Sequence, residues 1–138
     1  MKNIHNNLSE QTYDTRRQIR DQIETLRSRV ELLSGRDRLL MEMYLDRGST
    51  YCQIARLAGV HHSSICRRIR RITKRLTDGK YVKCLRHSRR LGPQRLKIAR
   101  DYFLQGLSQR KIAEKTGYSL YRVRKMLDEI KRIIEEEE

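Results

Sequence analysis

Apolar residues along this chain return at alternating steps of four and three, the spacing that lines one face of an α-helix. Ile19, Ile23, Leu26, Val30 and Leu33 keep that spacing and predict one amphipathic helix over residues 9–33, with the polar residues 1–8 frayed ahead of it. Leu39, Leu40, Met43, Tyr44 and Leu45 predict a second helix with a wide apolar face, set off by Ser34 and Gly35 and closed by Gly48. Ile54, Ala55 and Ala58 supply a third face that stops at Gly59, and Val60 fills the elbow after it. Ile65, Ile69, Ile72 and Leu76 then form the inner stripe of a fourth helix.

The C-terminal third repeats this arrangement. Ala113 stands 58 positions after Ala55, and the same offset carries Gly48 to Gly106, Ile54 to Ile112, Gly59 to Gly117, Ile65 to Val123, Ile69 to Leu127, Ile72 to Ile130 and Leu76 to Ile134. An ungapped match over so many positions means two copies of one supersecondary unit. Pro93, after Leu91 and Gly92, suits the first turn of the helix that opens the second copy. The expected fold is all-α. An N-terminal amphipathic helix over 1–34 precedes a three-helix helix-turn-helix domain over 35–76, a basic linker over 77–91 and a second helix-turn-helix domain over 92–138. The 9–33 stripe has the spacing of a coiled-coil seam and fits two uses, packing on its own chain or pairing in a homodimer. Tyr81, Cys84 and Leu85 would share one side of a short helix in the linker. Stretched out, the linker would span roughly 50 Å at about 3.3 to 3.6 Å per residue, enough for the two units to reach successive major grooves about 34 Å apart.

Charge says what such units would bind. The 138-residue chain carries 32 Lys and Arg against 17 Asp and Glu, a formal net charge of +15. Neutralising phosphates releases condensed counterions, so this balance favours a polyanion, with double-stranded DNA first. The excess is uneven: residues 34–90 hold fifteen basic against four acidic side chains, and residues 91–138 eleven against eight.

The segments GSTYCQIARLAGVHHSSICRRI (48–69) and GLSQRKIAEKTGYSLYRVRKML (106–127) resemble the helix-turn-helix of bacterial sigma factor region 4 and related regulators. The family has a Ser or Thr cap where His61 stands, whereas Ser119 keeps it. No segment resembles a promoter-melting and core-binding domain, so the resemblance implies sigma-like DNA binding rather than a whole sigma factor. It also implies recognition helices over 61–76 and 119–134 and favours His62, Ser63, Cys66 and Arg67 by position.

The residues themselves add to that set. With Ile65, Ile69 and Ile72 inward, Arg67 and Arg70 face outward, and a guanidinium can donate two hydrogen bonds to guanine O6 and N7. Arg68, Arg71, Lys74 and Arg75 are the expected phosphate contacts. In the second unit the outward set is Leu120, Tyr121, Arg122, Arg124 and Lys125. Tyr121 is placed either on a thymine methyl or packed against the first helix of its own unit. Asp128 and Glu129 near the end of that helix favour a protein partner for this unit as an alternative to DNA.

Other chemistries are disfavoured. Cys52, Cys66 and Cys84 are odd in number and lack CxxC spacing, which suits free thiols in a reducing cytoplasm. Cys52, His61, His62 and Cys66 lie close in sequence, but tetrahedral zinc needs four converging ligands and two of these fall on an exposed helix start, so no metal is expected. No nucleophile, base and orienter stand together and no glycine loop cradles phosphate, so neither enzymatic activity nor a cofactor is expected. No apolar run is long enough to span a membrane. The expectation is a cytoplasmic, nucleoid-associated DNA-binding transcription regulator. The alternative is a sigma-like adaptor that holds RNA polymerase with one unit and DNA with the other.

Overall fold

Small hydroxyl residues and glycines set the helix boundaries. The computed structural model describes residues 2–136, with side chains from residue 10 onward, and the described residues are helical without a strand. Helix α1 is Lys2–Val30, α2 Gly35–Leu45, α3 Tyr51–Ala58 and α4 His62–Asp78. Helix α5 is Lys80–Arg86, α6 Ser88–Ala99 with a π-helical turn continuing it over Arg100–Leu104, α7 Gln109–Thr116 and α8 Leu120–Glu135. None is long and apolar enough to cross a membrane.

Local chemistry explains the starts and stops. Thr50 opens α3 with a reciprocal cap: its hydroxyl accepts from the Gln53 N–H at 3.1 Å, while the Gln53 side-chain oxygen accepts from the Thr50 N–H at 2.9 Å. Two N–H groups that the helix leaves without partners are thereby satisfied. Ser108 and Ser119 cap α7 and α8 in the simpler way, accepting from the N–H groups of Lys111 and Arg122. Gly59 and Gly117 close α3 and α7 at φ 69° and 79°, where a side chain would strain the backbone. Position 61 needs no hydroxyl, because the His61 ring takes over the cap: Nδ1 accepts from the Ser63 N–H at 3.2 Å.

The 58-residue offset survives in the backbone. Tyr51–Ala58 maps onto Gln109–Thr116, and the starts of α4 and α8 are equally spaced. The loop before α3 is tied by the Ser49 N–H donating to the Met43 carbonyl at 3.0 Å, and the loop before α7 by Leu107 donating to Asp101, also at 3.0 Å. Helix α6 breaks at Gly92, and the chain resumes as helix at Pro93, in register with the start of α2.

One apolar cluster runs through all of this. It begins at Val30 and Leu33, passes through Met41, Ile54, Ile65, Ile69, Ile72 and Leu76, and continues to Ile98, Leu104, Ile112, Leu127, Ile130 and Ile134. The two copies therefore share a core.

Three expectations change. Helix α1 begins at Lys2 instead of near Ser9, since neither glycine nor proline interrupts the polar segment. Its stripe divides: Val30 and Leu33 are buried on the chain itself, whereas Ile23 and Ile19 remain 39% and 51% exposed. Residues 77–91 do not form an extended tether. After the turn at Gly79, Tyr81 and Cys84 enter the core from α5, with Leu91 beyond them, while Leu85 stays outside. The acidic C-terminus beyond Glu136 lies outside the described residues.

Polar contacts add to this packing, tying the N-terminal segment to both copies and the copies to each other. The Arg29 guanidinium of α1 donates to the Leu76 and Thr77 carbonyls, which a helix C-terminus leaves free. Gln105 donates to the Ser34 hydroxyl at 3.0 Å. Arg75 lies flat on Gly106, within contact of where a Cβ would stand, and reaches Asp37 at 3.8 Å. Gly48 has nearly the same φ as Gly106, 64° against 70°, yet nothing lies within 4 Å of its Cβ position. Alanine at either glycine should cost about 1 kcal/mol of backbone strain. Gly106→Ala should cost roughly 1 kcal/mol more, by displacing Arg75 from its partner. Urea unfolding of the two variants measures the difference, and equal losses would mean that Arg75 does not hold the copies together.

Candidate nucleic-acid interface

Helix α4 presents two stripes with the same spacing on opposite sides. Ile65, Ile69, Ile72 and Leu76 are buried, at 4% exposure or less. Ser63, Arg67, Arg70 and Lys74 step by four, three and four along the other side, about 200° around the helix from the buried stripe. Arg67, Arg70, Arg71 and Lys74 are exposed. The helix carries six basic side chains and one acidic one, so its outer face is a dense array of cationic donors.

Not every nominated residue joins that face. Arg68 turns toward α2, where Nε and Nη2 donate to Asp37 Oδ1 at 3.1 and 2.9 Å. Asp37 also meets Arg75, so one carboxylate draws in two of the arginines assigned to phosphate. At the start of α4, Ser63 is half-buried with its hydroxyl 2.8 Å from His61 Nδ1. His62 is exposed, its ring 4.2 Å from that of His61. Cys66 is half-buried beside Tyr51.

Several residues outside the nominated set border the same face. A groove of about 950 Å³ between α1 and α4 is lined by Ile23, Leu26, Arg27, Tyr44 and Tyr51 on one side and by Arg70, Thr73 and Lys74 on the other. Arg27 is held there by donating to the Leu45 carbonyl at 3.1 Å. Tyr44 and Tyr51 stack at 5.4 Å. The Tyr51 hydroxyl is pushed up to about 12, chiefly by its hydrogen bond with Tyr44 and then by burial, so it stays neutral at physiological pH. Tyr51 follows Thr50 at the start of α3 and Arg27 follows Leu26 of the α1 stripe, but periodicity alone does not bring them together.

The equivalent face of α8 is different. Tyr121 is 76% exposed, which removes the packing alternative for it, and Leu120 is half-buried. Lys125 is exposed. Arg122 lies over the Tyr118 ring at 4.1 Å, and Arg124 donates to the Gln109 side chain at 3.1 Å. Asp128 takes the position of Arg70, and Glu129, in the position of Arg71, pairs with Arg95 at 2.8 Å. Arg95 itself takes the position of Asp37, so each copy ties its first helix to its last by an ion pair, with the polarity reversed between them. That reversal is visible once the charges of the two copies are aligned. Helix α8 carries five basic against three acidic side chains.

The thiols differ in access. Cys52 is exposed and Cys84 is fully buried, with burial pushing the Cys84 thiol up to about 11. At pH 8 only about one Cys84 thiol in a thousand is ionised. Iodoacetamide should therefore modify Cys52 in the folded chain and reach Cys84 only after unfolding, as mass spectrometry of digests would show. Because the folded chain raises this pKa above its ordinary 9, the contribution to stability is present below pH 9 and is lost as pH rises toward 11. Rapid modification of Cys84 at pH 8 would contradict its placement in the core.

No protein-family model, curated protein or solved structure matches this chain.

Proposed function

We propose that this chain is a sequence-specific double-stranded DNA-binding protein, a transcription regulator made of two tandem helix-turn-helix units over 35–76 and 92–138. In this reading α4 enters the major groove, Arg67 and Arg70 read base edges, and Arg71 and Lys74 meet phosphates. The observation that carries it is the uncompensated cationic stripe of α4, which stands directly opposite a buried stripe that fixes the helix in place. The resemblance of 48–69 and 106–127 to sigma region 4 supports the same reading. Since α5 packs into the shared core, the two recognition helices would sit at one fixed spacing and the footprint should have one length. Selection from random duplexes tests this, and enrichment of no sequence would sink it.

A second reading rests on α8. Asp128 at the position of Arg70 and Glu129 at that of Arg71 weaken attraction to phosphate there. This favours a sigma-like adaptor that binds DNA with the first unit and RNA polymerase with the second. Retention of the purified chain by core polymerase, lost on Tyr121→Ala and Lys125→Ala but kept by Arg67→Ala, would select it.

A further inference from the structure

The duplication supplies an internal control for what the fold requires. In the first copy, α2, α3 and the turn after α3 border a groove of about 440 Å³ whose lining includes Leu39, Leu57 and Val60. These three are 53%, 77% and 48% exposed, although large apolar side chains at such exposure contribute little to folding. In the second copy the same positions hold Lys97, Lys115 and Tyr118, which line the corresponding groove. There Lys115 pairs at 2.9 Å with Asp101, which replaces Met43 of the first copy. The same backbone thus forms with a polar surface at this place, and folding does not account for the leucines.

We propose that this groove is a docking surface for an amphipathic helix of another protein, with acidic residues flanking its apolar face. A trough between two helices accepts a third helix, whose residues at i, i+3, i+4 and i+7 would meet Leu39, Leu57 and Val60. The charge of the partner follows from the rim. Arg36 and Arg68 line the groove and no acidic residue does. Arg68 is paired with Asp37, which Arg75 also approaches, so the rim charge left for a partner is that of Arg36. A second copy docking through α1 fits poorly, because Arg16, Arg20 and Arg27 flank the exposed Ile19 and Ile23 on that helix. Ser63, Arg67, Arg70 and Lys74 do not line the groove, so the docked helix leaves the outer face of α4 free.

The test uses the full chain and a labelled synthetic helix of about eighteen residues, with leucines at i, i+3, i+4 and i+7 and glutamates beside them. Fluorescence anisotropy should show saturable binding, at least tenfold weaker when lysines replace the glutamates. Leu39→Gln with Leu57→Gln should also weaken it at least tenfold. Leu57→Lys, which installs the residue of the second copy, should do the same with an unchanged circular-dichroism melt. Arg67→Ala, aimed at DNA, should leave the peptide affinity as it is, so that failure here and failure of the DNA reading stay distinct. Absence of saturable binding, equal affinity in the glutamine variant, or a drop of solution mass from dimer to monomer on Leu57→Gln would each overturn the proposal, the last by giving the groove to a second copy.

Discussion

Arg67→Ala combined with Arg70→Ala is expected to weaken binding to the selected duplex by about a hundredfold or more, while unrelated duplexes lose far less. Each bidentate contact to a guanine contributes roughly 1–3 kcal/mol of discrimination, and 1.4 kcal/mol is a factor of ten. The two arginines sit one turn apart on a single stripe, so their losses need not add, and the double variant reads their joint contribution. Arg71→Ala with Lys74→Ala should behave in the opposite way. It should weaken all duplexes by a similar factor and flatten the dependence of log K on log salt by about two, since each phosphate contact contributes a slope near 0.9. Titrations by anisotropy across a range of salt compare the pairs. The base-reading role fails if the Arg67 and Arg70 pair loses affinity equally for selected and unrelated DNA.

Arg68 marks the boundary of what this face can do. By sequence it is one of six basic residues on α4 and reads, like Arg71, as a phosphate contact. Its position on the helix turns it toward Asp37, and the resulting ion pair spends its charge inside the chain. Phosphate would have to compete with a carboxylate already at 2.9 Å. Replacing Arg68 should therefore affect DNA less than replacing Arg71.

This contrast shows where periodicity stops being informative. Steps of four and three place Ile65, Ile69, Ile72 and Leu76 inward because a helix forces that geometry on any sequence, and the offset of 58 follows because the same geometry occurs twice. Glycine at 48, 59, 106 and 117 is equally readable, for the backbone there requires positive φ. Contacts between elements are not so constrained. Leu39 belongs to a wide apolar face in sequence, yet Leu40 and Met41 take the buried places and Leu39 is left on the rim of an open groove. The 77–91 segment reads as basic and turn-rich, and only the core contacts of Tyr81 and Cys84 show that it is packed. His61 lacks a hydroxyl, but its ring nitrogen accepts from the Ser63 N–H, one residue nearer than the N–H that Ser119 caps in the second copy.

The shared core makes a prediction that independent units would not. Ile72 and Ile130 occupy equivalent places on α4 and α8, and both are fully buried within one cluster. Truncating either to alanine removes buried methyl groups and leaves a cavity, a loss of about 2–5 kcal/mol. Typical domains hold only about 5–15 kcal/mol in total, so each variant should shift unfolding strongly. If the copies were separate domains joined by a tether, Ile72→Ala would move one transition and Ile130→Ala another. With α4 packed on the π-helical turn 100–104, Arg75 on Gly106 and a continuous apolar cluster, the chain should instead unfold in one step. Urea titrations followed by far-ultraviolet circular dichroism and by tyrosine emission should therefore coincide for the unmodified chain. Both variants should displace that single transition to lower urea with little change in slope, since the slope tracks the surface exposed by the whole cooperative unit. Two resolved transitions, with each variant moving only its own, would break the shared core into two. The single recognition spacing inferred for the DNA would fall with it.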